Sequence, residues 1–192
     1  MRTPPVQTRR WSRAEYETLV EKGFFQPGER LELLDGLLVV REPQGSLHAA
    51  VVARAQQLLA RAFGPDHHVR VRSPVALDDM SEPEPDLAVV RGDPWDYRQG
   101  HPAAPVLLVE VAESTIALDR RRKGGLYARA GVAEYWILNL NDRVLEVYRQ
   151  PVRSASARYG WKYRSVRLLK PGAVVSPLAA PAARIRVADL LP

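Results

Sequence analysis

The apolar residues of this chain occur mostly in short runs rich in valine and leucine, a pattern typical of β-strands. The runs cover residues 31–34, 37–41, 69–72, 75–77, 87–90, 106–111, 134–138 and 143–148, and residues 151–170 alternate in a strand-like manner. Asp35-Gly36 supplies the positive φ angles of a tight turn and predicts a β-hairpin between the first two runs. The runs within 134–148 predict a second antiparallel hairpin.

Three segments carry apolar residues at helical spacing and predict α-helices. They begin at Ser12, at Ser46 and at Ala117, and they end near Lys22, at Phe63 and before Gly131. Ser12 and Glu15 match a capping box, and Ser46 is the predicted N-cap of the second helix. The basic residues 120–123 lie near the start of the third helix, where the helix dipole favours anions, which suggests that phosphate or carboxylate groups lie nearby.

Length and composition predict one domain over residues 1–192, preceded by a loose Pro- and Arg-rich arm at residues 1–11. The chain is 46% hydrophobic and 26% charged, enough for one sizeable core. It has no cysteine, so a metal must be held by oxygen or imidazole, which favours Mg²⁺ or Mn²⁺ over structural zinc. The sequence lacks both an apolar signal core and a membrane-spanning run of about 18 residues, and we expect a cytoplasmic protein.

The formal net charge of +6 is compatible with a polyanionic partner such as nucleic acid but does not require one. Only 4 of the 28 basic residues are lysines, Lys123 among them. Lysine differs from arginine in presenting a compact ammonium, which fits beside a bound water or a phosphate where a planar guanidinium does not. The basic residues look scattered along the sequence, so charge alone does not predict a binding groove.

Two carboxylates lie at or within predicted buried strands, where an unpaired charge is unfavourable. Asp86 directly precedes the run 87–90, and Glu110 lies within the run 106–111. A buried carboxylate requires a positive partner, and two of them on neighbouring strands would point toward one place. Asp86 and Glu110 are therefore candidate ligands of a divalent metal, which can neutralise charge and activate water in phosphodiester hydrolysis. Lys123, in the following helix, could reach the attacking water or the phosphate.

Four further polar residues are candidates for the site, and two of them, Glu32 and His48, leave alternatives open. Glu32 lies within a leucine-rich strand, either on the solvent face of the hairpin or directed at a site, and strand alternation favours the solvent face. His48 lies in the first turn of the second helix, where it is either solvated or in contact with an active-site carboxylate. His67-His68 are adjacent on an extended chain and point in opposite directions, so they are not expected to form a ligand pair.

Together these motifs resemble the Uma-type restriction endonuclease family of the PD-(D/E)XK nuclease superfamily. The resemblance rests on RLELLDGLL at 30–38, EPDLAVV at 84–90, LVEVAEST at 108–115, DRRRK at 119–123 and LYARAGVAEYWIL at 126–138. It implies a restriction-endonuclease-like α/β fold, with a central mixed β-sheet flanked by helices and additional hairpins. It also implies Asp86, Glu110 and the main-chain carbonyl of Val111 as metal ligands, and Lys123 as the catalytic lysine. Glu32 and His48 would complete the shell.

One departure from the wider superfamily pattern concerns the lysine. The superfamily pattern has a lysine two positions after the glutamate, but this chain has Ala112 there. Lys123, in the predicted third helix, would take the role of that lysine. The first hypothesis is a Mg²⁺- or Mn²⁺-dependent DNA endonuclease. The alternatives are a non-catalytic nuclease-fold DNA-binding module and a dimeric interaction module, with the Tyr- and Trp-rich hairpin 134–148 as a possible homodimer seam.

Overall fold

The computed structural model describes residues 8–41 and 43–192. Its helices are α1 (Arg13–Glu21), α2 (Ser46–Phe63), α3 (Ile116–Leu118) and α4 (Gly124–Arg129), with a π-helical turn at Asp119–Lys123 and 3₁₀ turns at Pro94–Tyr97 and Val187–Asp189. Its strands are β1 (Leu31–Leu34), β2 (Leu37–Val40), β3 (His67–Val71), β4 (Leu87–Arg91), β5 (Leu107–Ala112), β6 (Glu134–Asn139), β7 (Val144–Arg153), β8 (Trp161–Leu169), β9 (Val174–Val175) and β10 (Ile185–Arg186).

The centre of the molecule is a six-stranded mixed sheet in the order β3-β4-β5-β6-β7-β8. All neighbouring strands are antiparallel except β5 and β6, which are parallel. A parallel pair needs a crossover connection, and here the crossover is the segment containing α3, the π-helical turn and α4. The mixed sheet and its flanking helices confirm the predicted fold class.

The two faces of the sheet carry separate cores because successive side chains of a strand point to opposite sides. On one face, α2 packs against β3, β4 and β5, and Val52, Ala55 and Leu59 are its buried residues in this core. On the other face, Tyr127 and Ala128 of α4 pack against β5 and β6. The residues of β4, β5 and β6 are buried apart from Arg91, which explains their nearly continuous apolar runs.

Both predicted hairpins are confirmed. In the first, Leu34 pairs with Leu37, and the turn residues Asp35 and Gly36 have φ angles of 53° and 77°. The capping box of α1 is also present, with Ser12 and Glu15 bonded to each other's backbone. The main-chain N–H of Trp11 donates to the Gly36 carbonyl at 2.9 Å, so residues next to α1 lie against this turn. Residues 1–7 of the predicted arm lie outside the described ranges.

Three details of the prediction were wrong. The N-cap of α2 is Gly45, not Ser46, since the helix begins one residue earlier and has no side-chain cap. Residues 75–77 form no strand, because the chain turns at Arg72, where φ is 44°, and leaves the sheet before Pro74. The third helix is not regular, since a π-helical turn interrupts it; such turns are frequent at functional sites.

Over the part of the chain that the structure covers, no helix is long and apolar enough to cross a membrane.

Glu82, which forms an isolated β-bridge with Leu33 of β1, should make the stability of the fold depend on pH. Burial, together with a smaller effect of the neighbouring Glu17, raises the pKa of Glu82 to about 7. The folded state therefore holds this proton at a pH where the unfolded chain, with a pKa of 4.5, has released it. We expect the free energy of unfolding to fall by about 3 kcal/mol between pH 4.5 and 7 on account of this residue.

Glu82→Gln should remove this part of the pH dependence, because glutamine does not titrate. Urea unfolding of the parent and of the variant from pH 4.5 to pH 8 measures the difference. Glu21→Gln, at the exposed end of α1, is the matched control and should keep the slope of the parent. Equal slopes for the parent and Glu82→Gln would contradict the prediction.

Candidate active site

The register of β4 on β5 brings the two predicted carboxylates together. Leu87 pairs with Val109, so the next position of the ladder places Asp86 opposite Glu110. The main-chain N–H of Asp86 lies 3.4 Å from Glu110 Oε2. Both side chains are buried, and both line one cavity next to the β4–β5 pair. The two acids are therefore neighbours at the end of a rigid antiparallel pair, as the sequence predicted.

Asp86 is held by donors on all sides. Its Oδ2 accepts the main-chain N–H of Val111 at 2.9 Å and lies 3.1 Å from His48 Nε2. Its Oδ1 accepts from Gln44 Nε2 at 2.9 Å, and Arg41 lies 3.5 Å away. Burial acts to raise the pKa of Asp86, but these partners, His48 first among them, outweigh burial and hold the pKa at about 2. Asp86 is consequently a fixed, ionised carboxylate.

Lys123 points into the site. Its Nζ donates to Glu110 Oε1 at 3.0 Å and lies 3.2 Å from Glu32 Oε2. Burial acts to lower the pKa of Lys123, but the carboxylates of Glu110 and Glu32 reverse this effect and keep the side chain protonated. The π-helical turn thus presents a buried ammonium to two buried acids.

Glu110 accepts a second hydrogen bond, from Tyr127 Oη at 2.7 Å. Its burial raises its pKa to about 8, although the Lys123 charge acts in the opposite direction. Asp119, one helical turn before Lys123, is also buried at the cavity and accepts a hydrogen bond from Thr115. Burial raises the pKa of Asp119 to about 6. The cavity therefore concentrates carboxylates, and Lys123 and Arg41 supply the opposing charge.

Glu32 is directed at the site and is only 1% exposed, so the solvent-face interpretation from strand alternation was wrong. All four residues of β1 are buried, because both faces of the hairpin strand are covered. Besides its contact with Lys123, Glu32 Oε2 accepts the main-chain N–H of Glu84 at 3.1 Å. Glu32 thus links the hairpin to the segment that leads into Asp86.

His48 is buried rather than solvated. Its Nδ1 lies 3.4 Å from an amino group of Arg72, which can only donate, so Nε2 carries the proton and donates to Asp86. Both ring nitrogens are therefore used within the protein. The paired histidines 67 and 68 lie on β3, outside the cavity, as the sequence indicated.

Gln44 is a residue that the sequence interpretation missed. It lies in the connection from β2 to α2, between Pro43 and Gly45, and no periodicity marks it. Its amide group donates to Asp86, while its Oε1 is buried without a hydrogen-bond partner in the described part of the chain. The exact position of a loop amide depends on long-range packing, which a local pattern does not record.

The carboxylate oxygens at this cavity are the type of ligand that a hard divalent cation prefers. Asp86 and Glu110 are carboxylates on one cavity, and among the described residues Glu110 Oε2 accepts only the long contact from Asp86. Within residues 8–41 and 43–192, no group of three or more His, Asp or Glu side chains is placed to hold an ion. This arrangement suits Mg²⁺, which is usually bound by one or two carboxylates and completes its shell with water and substrate oxygens.

Comparison with known proteins agrees with this geometry. The family model described as "Uma2: Putative restriction endonuclease" matches residues 13–188. The crystal structure of "a putative nuclease belonging to DUF820" from Anabaena variabilis ATCC 29413 has a TM-score of 0.68 and 16% identity, over 94% of this chain and 97% of that chain. At that identity the similarity shows the fold alone. No curated protein matches.

The family match extends from the start of α1 to beyond β10 and so includes every strand and helix that carries a site residue. It confirms the resemblance to the PD-(D/E)XK type of nuclease that the motifs indicated. The chain belongs to the Uma2 family.

Proposed function

We propose that this protein is a metal-dependent DNA endonuclease that hydrolyses phosphodiester bonds. The observation that carries the proposal is the convergence of Asp86, Glu110 and Lys123 on one cavity, with Lys123 Nζ 3.0 Å from Glu110 Oε1. Two acids and an ammonium are the groups that hydrolysis of a phosphodiester needs, since charge must be neutralised as water attacks. Membership of the Uma2 family supports the same reaction class.

Asp86, Glu110 and the main-chain carbonyl of Val111 would hold Mg²⁺ or Mn²⁺. When bound, the ion would neutralise charge on the scissile phosphate and lower the pKa of the attacking water. Asp86 suits this role because it stays ionised at neutral pH and is fixed by the β4–β5 register. Glu110 lies on the same cavity with Oε2 directed at the main chain of Asp86.

Lys123 would act on the substrate as a charged donor. An ammonium has three protons, and one is used in the hydrogen bond to Glu110. The remaining protons can be donated to Glu32, to a phosphate oxygen or to the attacking water. Glu32 and Glu110 keep the ammonium in place and charged, so Lys123 stabilises negative charge instead of accepting a proton.

His48 and Gln44 would position Asp86. Each donates one hydrogen bond to its carboxylate, and the two bonds go to different oxygens. Such partners orient a metal-binding carboxylate, and their loss typically costs about 10- to 100-fold in affinity or activity. In this proposal His48 belongs to the support of Asp86 and not to the set of metal ligands, since Arg72 occupies its other nitrogen.

The direct test is cleavage by the purified protein of supercoiled plasmid, linear duplex, single-stranded DNA and RNA. We expect cleavage of DNA with Mg²⁺ or Mn²⁺ and none after chelation with EDTA. Glu110→Gln should abolish the activity, because glutamine keeps the shape of the side chain and removes its charge. Absence of cleavage of every substrate with either ion, or equal cleavage with EDTA, would overturn the proposal.

A second candidate is a non-catalytic nuclease-fold module. It is favoured by the hydrogen bonds to Asp86, since both of its oxygens already accept from protein donors. Such a module would have no use for a metal. Calorimetric titration with Mn²⁺ distinguishes the two functions: heat that is lost in Asp86→Asn supports the nuclease, and no heat in the parent supports the module. Homodimerisation, compatible with both, is tested by light scattering.

A further inference from the structure

The positive charge of this chain is concentrated in its last quarter. Between Val147 and Ala188 there are nine basic residues and no acidic residue, so the remainder of the chain has a formal net charge of −3. The segment covers most of β7 and all of β8, β9 and β10. Nine of the 28 basic residues therefore lie in one segment of the chain that contains no acidic residue.

A groove lies where this segment meets the helix after the π-helical turn. Its lining includes Arg121, Gly125, Arg158, Trp161, Lys162 and Val166. Arg121, Arg158 and Lys162 are exposed, and none of them forms an ion pair with any residue in the described ranges. Arg120 differs, because Glu146 already binds its guanidinium. The groove thus has a rim of unneutralised positive charge.

The floor of the groove is apolar and aromatic. Trp161 is half-buried, Tyr163 is buried beneath the groove, and Val166 is 49% exposed. The Arg153 guanidinium lies over the Trp161 ring at 5.4 Å, and the half-buried ring has its remaining exposed surface at the groove. A cationic rim beside an exposed aromatic ring is an arrangement that binds single-stranded nucleic acid, whose phosphates contact the cations while a base stacks on the ring. In a duplex the bases are already stacked on one another, so an aromatic floor would add little to its binding affinity.

The π-helical turn joins this groove to the candidate active site. Asp119 and Lys123 of the turn line the cavity with Asp86 and Glu110, whereas Arg120 and Arg121 line the groove. A nucleic-acid strand lying in the groove would therefore reach the turn that presents the lysine. One five-residue element serves both surfaces.

We propose that the groove between α4 and β8 binds a single-stranded segment of nucleic acid, with phosphates on Arg121, Arg158 and Lys162 and bases on Trp161. The proposal rests on the proposed function, since it assigns the path by which substrate reaches the site. It also identifies the preferred substrate as DNA with a single-stranded or unpaired segment.

A second copy of this chain is less suited than nucleic acid to bind at this groove. β8 is an edge strand of the sheet, and edges can pair with another chain. Its exposed side chains include Lys162, Arg164 and Arg167, however, and charged side chains on an edge strand oppose pairing with another copy. These charges attract an anionic partner instead.

The test measures binding of fluorescein-labelled oligo(dT), of roughly 12 nucleotides, by fluorescence anisotropy in EDTA, so that cleavage does not enter. A duplex of the same length is the second probe. The groove variant is Arg158→Gln/Lys162→Gln. Its matched control is Arg54→Gln/Arg61→Gln, which removes the same charge from exposed positions of α2 on the opposite face of the sheet. Circular dichroism confirms that both variants are folded.

We expect the groove variant to raise the Kd for oligo(dT) about tenfold or more and to lower the slope of log K against log salt by about 1.4, since two phosphate contacts are lost. The control should bind within about twofold of the parent. Equal Kd values for the two double variants, or tighter binding of the duplex than of oligo(dT) by the parent, would overturn the proposal.

The outcome is separable from that of the proposed function. Loss of binding in the groove variant supports the groove even if the parent cuts no substrate in Mg²⁺ or Mn²⁺. Cleavage by the parent with unchanged binding in the groove variant overturns the groove and leaves the nuclease function standing.

Discussion

Asp86→Asn is expected to lower DNA cleavage by about three orders of magnitude, equivalent to about 4 kcal/mol of transition-state stabilisation. Asparagine has the shape of aspartate but lacks the negative charge that would bind the cation. It also cannot accept on both sides from Val111 and Gln44, which in the parent fix the two oxygens. The loss should therefore appear in the rate and in the concentration of Mn²⁺ needed for half-maximal activity.

The measurement is a time course of plasmid nicking at several Mn²⁺ concentrations. Asp66→Asn is the matched control, because Asp66 is exposed and lies outside the cavity. It should cut as the parent does. Thermal unfolding should show Asp86→Asn to be folded at the assay temperature. A folded variant that retains more than about a tenth of the parent rate would mean that Asp86 does not hold the ion.

Lys123→Met is expected to destabilise the fold by about 3–5 kcal/mol, because removal of one partner leaves buried charges uncompensated. Glu110 and Glu32 are 3% and 1% exposed, and both face the Lys123 ammonium. Without it, one of the acids must take up a proton or draw water into the site. Urea unfolding of the parent and of the variant at pH 8 measures the effect.

A second substitution makes this prediction specific. Glu110→Gln added to Lys123→Met removes one of the uncompensated charges, and the double variant should be more stable than Lys123→Met alone. Lys170→Met, at an exposed position after β8, is the control and should change the free energy of unfolding by less than about 0.5 kcal/mol. If Lys123→Met behaved like Lys170→Met, the ammonium would not be the charge that balances the two acids.

The predictions that rested on local chemistry agree with the structure. The Asp35-Gly36 turn and the Ser12 capping box each depend on residues adjacent in sequence, and both formed as expected. The proximity of Asp86 and Glu110 could also be predicted from the sequence, because each of two predicted strands carries one carboxylate and the two strands were expected to be neighbours.

Features that depend on a distant partner were not accessible from the local pattern, although the family resemblance implied Glu32 and His48 at the site. Alternation along β1 could not reveal that Lys123, far along the chain, covers the face on which Glu32 lies. The same limit applies to His48, whose burial follows from its contact with Asp86. The basic groove could not be predicted from its residues, since the packing of α4 against β8 is a property of the tertiary fold.

The crossover between β5 and β6 determines when the candidate site is assembled during folding. The site needs that crossover to be closed, because Lys123 arrives with it while Glu110 lies in the strand before it. His48 and Asp86, 38 residues apart, must meet as well. Contacts between distant residues form late in folding, after local turns and helices. A nascent or partly unfolded chain would therefore hold its acids and its lysine apart, and the candidate site would exist only in the fully folded molecule.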